Sequence, residues 1–240
     1  RSINKSDGIV FIYTNWIYSG VIPLILALEQ NGYTKYDNKK YLKTKSKINP
    51  ISYFGKTMDK CNQSEKEKFK PAKYMVITGG QDNLSNQLEK ELKVATHSHN
   101  YEGKNIKVII GSTVASEGLD FKNIRSIHIL EPWHNLNKLE QVIGRGIRNC
   151  SHLDWKDSKD RNVTVYLHTT KLNNDNETID TFLYRYSERK AVHIGIVENI
   201  LKNNALDKFF FKTNNKINEK DIEKMKIKPA HRDSLEYFHR

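Results

Sequence analysis

At 240 residues, 37% hydrophobic and 10% aromatic, the chain can bury one ordinary core plus appendages. Forty Lys+Arg against 28 Asp+Glu give a net charge of +12, which favours a polyanionic partner, although lysine-rich codon usage produces the same bias. Two cysteines, Cys61 and Cys150, exclude a disulfide framework and a Cys-x-x-Cys metal site. No stretch approaches the ~18 apolar residues of a membrane span, and no metal site is expected from the histidine spacing.

Gly8–Thr14 (GIVFIYT) is a compact β-branched and aromatic run, hence a buried strand. Ser19–Asn31 repeats apolar residues at helical spacing (Val21, Leu24, Ile25, Leu28) and stops at the C-cap signal Asn31-Gly32. Residues 34–72 break this rhythm with lysines, Asn, Ser and Gly, and read as a basic, partly flexible insertion. Its run Lys39, Lys40, Lys43, Lys45 and Lys47 suits a nucleic-acid backbone, but a solvated lysine run is the commoner meaning. Lys73–Thr78 is a strand closed by Gly79-Gly80, followed by a helix through Leu84, Leu88 and Leu92. Ile106–Ile110 and Ile124–Leu130 are strands, Leu136–Arg148 is helical, and Val163–Leu167 alternates as a strand. Strands apolar throughout and separated by helices predict an α/β parallel sheet of five or six strands, covered on both faces. Thr178–Leu206 is a long amphipathic helix, and beyond Lys208 the chain is basic and weakly patterned. The expected organisation is an α/β domain over 1–172 and a helical extension with a basic tail over 173–240.

Two segments carry chemistry. Gln141–Arg148 (QVIGRGIR) sets two arginines three apart, on what its glycine makes look like the start of a helix. On one helix face both guanidiniums reach a common target, and arginine binds phosphate oxygens bidentately. Upstream, Gly111–Phe121 (GSTVASEGLDF) is a strand running into a polar, glycine-bearing loop.

In this order the two segments resemble motifs V and VI of the superfamily 2 helicases. The stretch ASEGLDFKNIRSIHILEPWHNLNKLEQVIGRGIRNCSH resembles their large-DNA-virus members, the poxvirus-type nucleoside triphosphatases and early-transcription-factor ATPases, with asfarvirus and giant-virus relatives. The resemblance covers residues 8–168, and the helix Thr178–Leu206 shares in it. It implies a RecA-like domain, the second of two that bind ATP in the cleft between them. By that resemblance Arg148 is an arginine finger, Arg145 a second contact to the γ-phosphate, and Gln141 orients the attacking water or couples it to nucleic acid. Asp120 would bond the ribose, with Gly118 and Gly144 close to the nucleotide. Ser112 would present a hydroxyl to a nucleic-acid phosphate, with Thr14 and Asn15 (motif IV) and Thr78 and Gly79 along the same track. Trp133 with His134 would stack on a base or ribose, unless Trp133 is simply a packed aromatic at a domain edge.

The 240 residues contain no Gly-x-x-x-x-Gly-Lys-Ser/Thr and no acidic box for Mg2+. ATP and Mg2+ are therefore expected on an N-terminal RecA-like domain preceding Arg1, and the fragment alone is expected to be inactive. The other expected partners are nucleic acid, DNA ahead of RNA, and viral transcription machinery, with no membrane. The viral resemblance implies the virion or the host cytoplasm. A translocase moving on duplex without unwinding it, and a non-catalytic nucleic-acid-binding module, are the rival readings.

Overall fold

The computed structural model describes residues 2–43, 49–79, 84–85, 87–113, 119–172 and 176–206. Its first compact unit covers residues 1–190 and its second residues 191–240. The first unit is built on six strands: β1 (Ile9–Tyr13), β2 (Thr34–Lys35), β3 (Lys73–Ile77), β4 (Val108–Gly111), β5 (Ile124–Ile129) and β6 (Thr164–Leu167). They form one all-parallel sheet in the order β2-β3-β4-β1-β5-β6. The expected α/β parallel sheet of five or six strands is present, with the longest apolar runs at the centre of the sheet.

β1 is buried along its whole length because both faces are covered. Phe11 and Tyr13 join Ile77, Ile109, Ile127 and Ile129 on one face, while Val10 and Ile12 join Val76, Val108 and Ile110 on the other. The first face is closed by α4 (Leu88–Ala95), through Leu92, and by α5 (Leu136–Gly146), through Leu139 and Val142. The second is closed by α2 (Ile22–Gln30), which contributes Ile25 and Leu28. Each large apolar side chain buried in this way stabilises the fold by about 1.5–3 kcal/mol. α2 carries Pro23 in its first turn, where the missing N–H costs nothing. It stops at Asn31, after which Gly32 takes φ +87°, and a Cβ there would lie 2.6 Å from the Asn49 carbonyl oxygen.

The lysine-rich stretch 34–72 has fixed places over its described residues. Thr34–Lys35 is the edge strand β2, paired with β3 at Lys73 and Tyr74. The buried Glu29 carboxylate accepts the N–H groups of Tyr41 (3.1 Å) and Leu42 (2.6 Å) and the hydroxyl of Tyr74 (2.7 Å). Lys35, also buried, donates to Asp37 and to the Leu84 carbonyl, both at 2.8 Å. A short helix, α3 (Gln63–Glu67), starts at a capping box between Asn62 and Glu65. Lys39, Lys40 and Lys43 are exposed; Lys45 and Lys47 lie outside the described residues.

α6 (Ile179–Asn204) runs from the first unit into the second. In the first unit it buries Ser187, and Arg185 holds Glu177 through two bonds of 2.9 and 2.6 Å. In the second unit Val192, Ile196, Ile200 and Leu201 of the expected apolar stripe are exposed. No helix among the described residues is long and apolar enough to cross a membrane.

Candidate functional site

In a parallel sheet every strand points the same way, so the candidate residues sort by the end of the sheet at which they fall. The arginine pair falls beside the first half of β5. α5 returns antiparallel to β5, and Gly146 brings its last turn down onto it: a Cβ at Gly146 would meet Ile127 at 2.9 Å and Ile124 at 3.1 Å. The helix ends at Gly146, and its C-cap Ile147 has left helical geometry at φ −113°, ψ 88°.

This corrects the expectation that the pair opens a helix and shares one of its faces. Arg145 lies in the last turn of α5, where a cation complements the helix dipole, and Arg148 lies beyond it. The helical run Leu136–Arg148 is the reading that holds, ending two residues early at Gly146. The periodicity of Leu136, Leu139, Val142 and Ile143 carries the helix straight through Gly144.

The two guanidiniums still meet, through a main-chain atom. Arg145 Nη1 donates to the Leu119 carbonyl oxygen at 3.2 Å, and Arg148 Nη2 donates to the same oxygen at 3.4 Å. Arg148 also pairs through Nη1 with Asp120 Oδ1 at 3.0 Å and donates through Nε to the Gly144 carbonyl at 3.3 Å. Leu119 and Asp120 are thus in one cluster with the two arginines. It is held from below by Phe121, which is fully buried with its ring 5.1 Å from that of Phe11. Beyond it, Asn123 takes φ 60° and bonds Ser151 O through its N–H, with its side chain on Asp154. The cluster stays open to solvent: the Arg148 and Asp120 side chains are 38% and 62% exposed. Gln141 is exposed one turn away, and an added Cβ on Gly144 would meet nothing within 4 Å. Gly118 lies outside the described residues.

The expected nucleic-acid residues fall at the other end, just past the carboxyl ends of β1, β3 and β4. There the hydroxyls point inward. Thr14 is buried and donates to Glu131 Oε1 at 2.6 Å, while the Asn15 N–H donates to Glu131 Oε2 at 2.9 Å. Buried Thr78 accepts the Leu84 N–H at 3.0 Å, and buried Ser112 donates to the Ile77 carbonyl at 3.5 Å. Asn15 and Gly79 are half-buried and reach the surface of this end. Trp133 is half-buried too, with Lys138 Nζ 3.9 Å from its ring centroid, and His134 is exposed beside it.

Three features escaped the sequence reading. Glu131 ties the loop after β1 to the loop after β5, and its position directly after a buried strand was the available signal. The Leu119 carbonyl joins the arginines but, as a backbone atom, leaves no trace in the residue pattern. Between β5 and β6, His128 Nδ1 lies 2.9 Å from His168 Nε2, and the His128 ring stacks on Tyr166 with centroids 4.5 Å apart. Burial, with the His168 neighbour adding to it, pushes the His128 imidazole down to about 4. Burial lowers His168 as well. No group of three or more candidate metal ligands occurs among the described residues.

Residues 39–150 match the helicase conserved C-terminal domain. A protein of Acanthamoeba polyphaga mimivirus, named as an ATP-dependent RNA helicase, is 32% identical over 214 residues, 85% of this chain. A protein of invertebrate iridescent virus 3, named as a helicase, is 29% identical over 210 residues, again 85% of this chain. An early transcription factor large subunit homolog of African swine fever virus is 26% identical over 230 residues, 95% of this chain. The chain spans 19% of the length of each of these three relatives.

Proposed function

We propose that this chain, which resembles the large-DNA-virus helicases and matches the helicase C-terminal domain over residues 39–150, supplies the arginine side of a nucleic-acid-dependent ATPase. The observation that carries the reading is the convergence of Arg145, Arg148 and Asp120 around the single carbonyl of Leu119. Two guanidiniums held to one point and left open to solvent suit a polyphosphate. The clear space above Gly144 suits its close approach. These residues fit the outer, anionic end of ATP. They do not fit its cradle or its Mg2+, for which the 240 residues carry no motif, so the chain alone is expected not to turn ATP over. A partner RecA-like domain of the same protein is proposed to complete the site.

Bound ATP would supply the phosphoryl group to be cleaved. Arg148 would leave Asp120 for the γ-phosphate, where a pre-positioned cation is worth about 10³–10⁵ in rate. Arg145, held by the more buried half of the cluster, would keep the second contact. Asp120, released, would be free to accept a ribose hydroxyl. Gln141, exposed one turn back on α5, would orient water, and nucleic acid would run along the carboxyl end of the sheet. Nucleic acid is the partner class. The mimivirus relative's name points to RNA and the African swine fever virus relative's to transcription, so DNA ahead of RNA stays a proposal, as does a role in viral transcription.

The test is nucleic-acid-stimulated ATP turnover of the full-length protein with Arg148→Ala. Turnover is expected to fall about a thousandfold with nucleotide affinity largely kept, and Arg148→Lys is expected not to restore it, because lysine lacks the planar fork. Unchanged turnover would remove Arg148 from the site and favour a binding module without catalysis.

A further inference from the structure

The loop that leaves β1 at the carboxyl end of the sheet is built in an uncommon way. Ile17–Val21 form a π-helical turn, a rare conformation that concentrates at functional sites. Its root is fixed by a network around the buried Thr14. The Thr14 hydroxyl, itself bonded to Glu131, accepts the Trp16 N–H at 3.3 Å, and the Val21 N–H closes onto the Trp16 carbonyl at 2.9 Å. Gly20 folds back so tightly that a Cβ there would lie 2.0 Å from Thr14 Oγ1. Yet Trp16 and Tyr18, carried by this anchored turn, are 59% and 72% exposed.

A mobile loop with one exposed aromatic would need no explanation. A turn held from below by a half-buried carboxylate, with two large aromatic surfaces two residues apart in water, does. Glu131 also links this turn to the loop after β5, where Trp133 sits under the Lys138 ammonium. Aromatic faces and cations therefore share this end of a chain of net charge +12.

We infer that Trp16 and Tyr18 form a stacking platform for unpaired nucleobases. The inference rests on the reading that the carboxyl end of the sheet is the nucleic-acid side. It adds which part of the polymer is gripped there: the base, with a phosphate left to a cation such as Lys138. Every base offers a π face, so such a platform tolerates any sequence. It discriminates against duplex, whose bases are already stacked inside. The ligand is a single-stranded stretch of DNA or RNA.

The test measures binding of the full-length protein to three strands of equal length: oligo(dT), oligo(U), and an abasic strand that keeps the phosphates and lacks the bases. The variants are Trp16→Ala with Tyr18→Ala, and separately Trp16→Phe. The double variant is expected to bind the base-bearing strand at least about tenfold more weakly and the abasic strand as the wild type does. Trp16→Phe keeps a ring and is expected to retain most of the affinity. A loss on oligo(dT) alone or oligo(U) alone identifies the polymer. Loss on both marks a platform that ignores the sugar. Wild-type affinity of the double variant for every base-bearing strand that the wild type binds would overturn the inference and leave this turn as a protein contact. So would an equal loss on the abasic strand. A wild-type protein that binds none of the strands would instead sink the nucleic-acid reading itself.

Discussion

The two ends of the sheet use polar residues in opposite ways. Beside the first half of β5, Arg145 and Arg148 share the Leu119 carbonyl and Arg148 pairs with Asp120, while the Arg148 and Asp120 side chains remain at the surface. At the carboxyl ends of β1, β3 and β4, the hydroxyls of Thr14, Thr78 and Ser112 are buried and already committed to Glu131, Leu84 and Ile77. The first arrangement is cheap to rearrange, since an exposed ion pair is worth about 0–1 kcal/mol. The second is costly to disturb, since stranding a buried polar group costs about 1–3 kcal/mol. In this molecule, then, the residues that the proposed turnover would move sit at one end, and those that hold a surface in shape sit at the other.

The contrast is sharpest where burial touches a titrating group. His128, near the carboxyl end of β5, has its imidazole pushed from 6.5 down to about 4. The unfolded chain therefore takes up the proton first, and stability is expected to fall as pH drops from about 6.5 to about 4, levelling off below. The loss amounts to at most about 3 kcal/mol and is read from denaturant midpoints along that pH series. His128→Phe should flatten the slope. A slope unchanged in that variant would remove His128 as its source.

Next in size, Thr14→Val keeps the shape of the side chain and removes the bond to Glu131. It is expected to lower stability by about 1–3 kcal/mol and, through the loosened turn at Trp16, to weaken strand binding as well. A variant as stable as the wild type would show that the Glu131 link is not what fixes this end. Smallest in stability is Gly144→Ala. With nothing within 4 Å of the new methyl, α5 should gain up to about 1 kcal/mol of stability. If the nucleotide approaches there, ATP turnover should fall in the same variant. A gain in stability with full turnover would take Gly144 out of the site.

How much of this was legible in the sequence follows from the same physics. Strands buried on both faces announce themselves: Ile9–Tyr13, Lys73–Ile77 and Ile124–Ile129 are found within two residues of where their apolar runs place them. β2 does not. It is two polar residues long, held by pairing with β3 and by the internal partners of Lys35, none of which is a local property. The order of the segments 111–121 and 141–148 suggested a shared cluster, and the end of α5 is found within two residues of where its periodicity places it, but the carbonyl that joins them carries no residue signal. Residue type likewise cannot tell whether a strand-end threonine faces in or out. For Thr14 the answer came from Gly20 and Glu131, respectively six residues along the chain and on another strand's loop.

The most direct test of the division between the two ends is a paired measurement on full-length Arg148→Ala: the turnover number for ATP and the affinity for a single strand, taken on one preparation. Turnover reduced about a thousandfold beside an unchanged strand affinity is the predicted result. Strand affinity falling in step with turnover would contradict it, because the arginine cluster would then belong to the nucleic-acid surface.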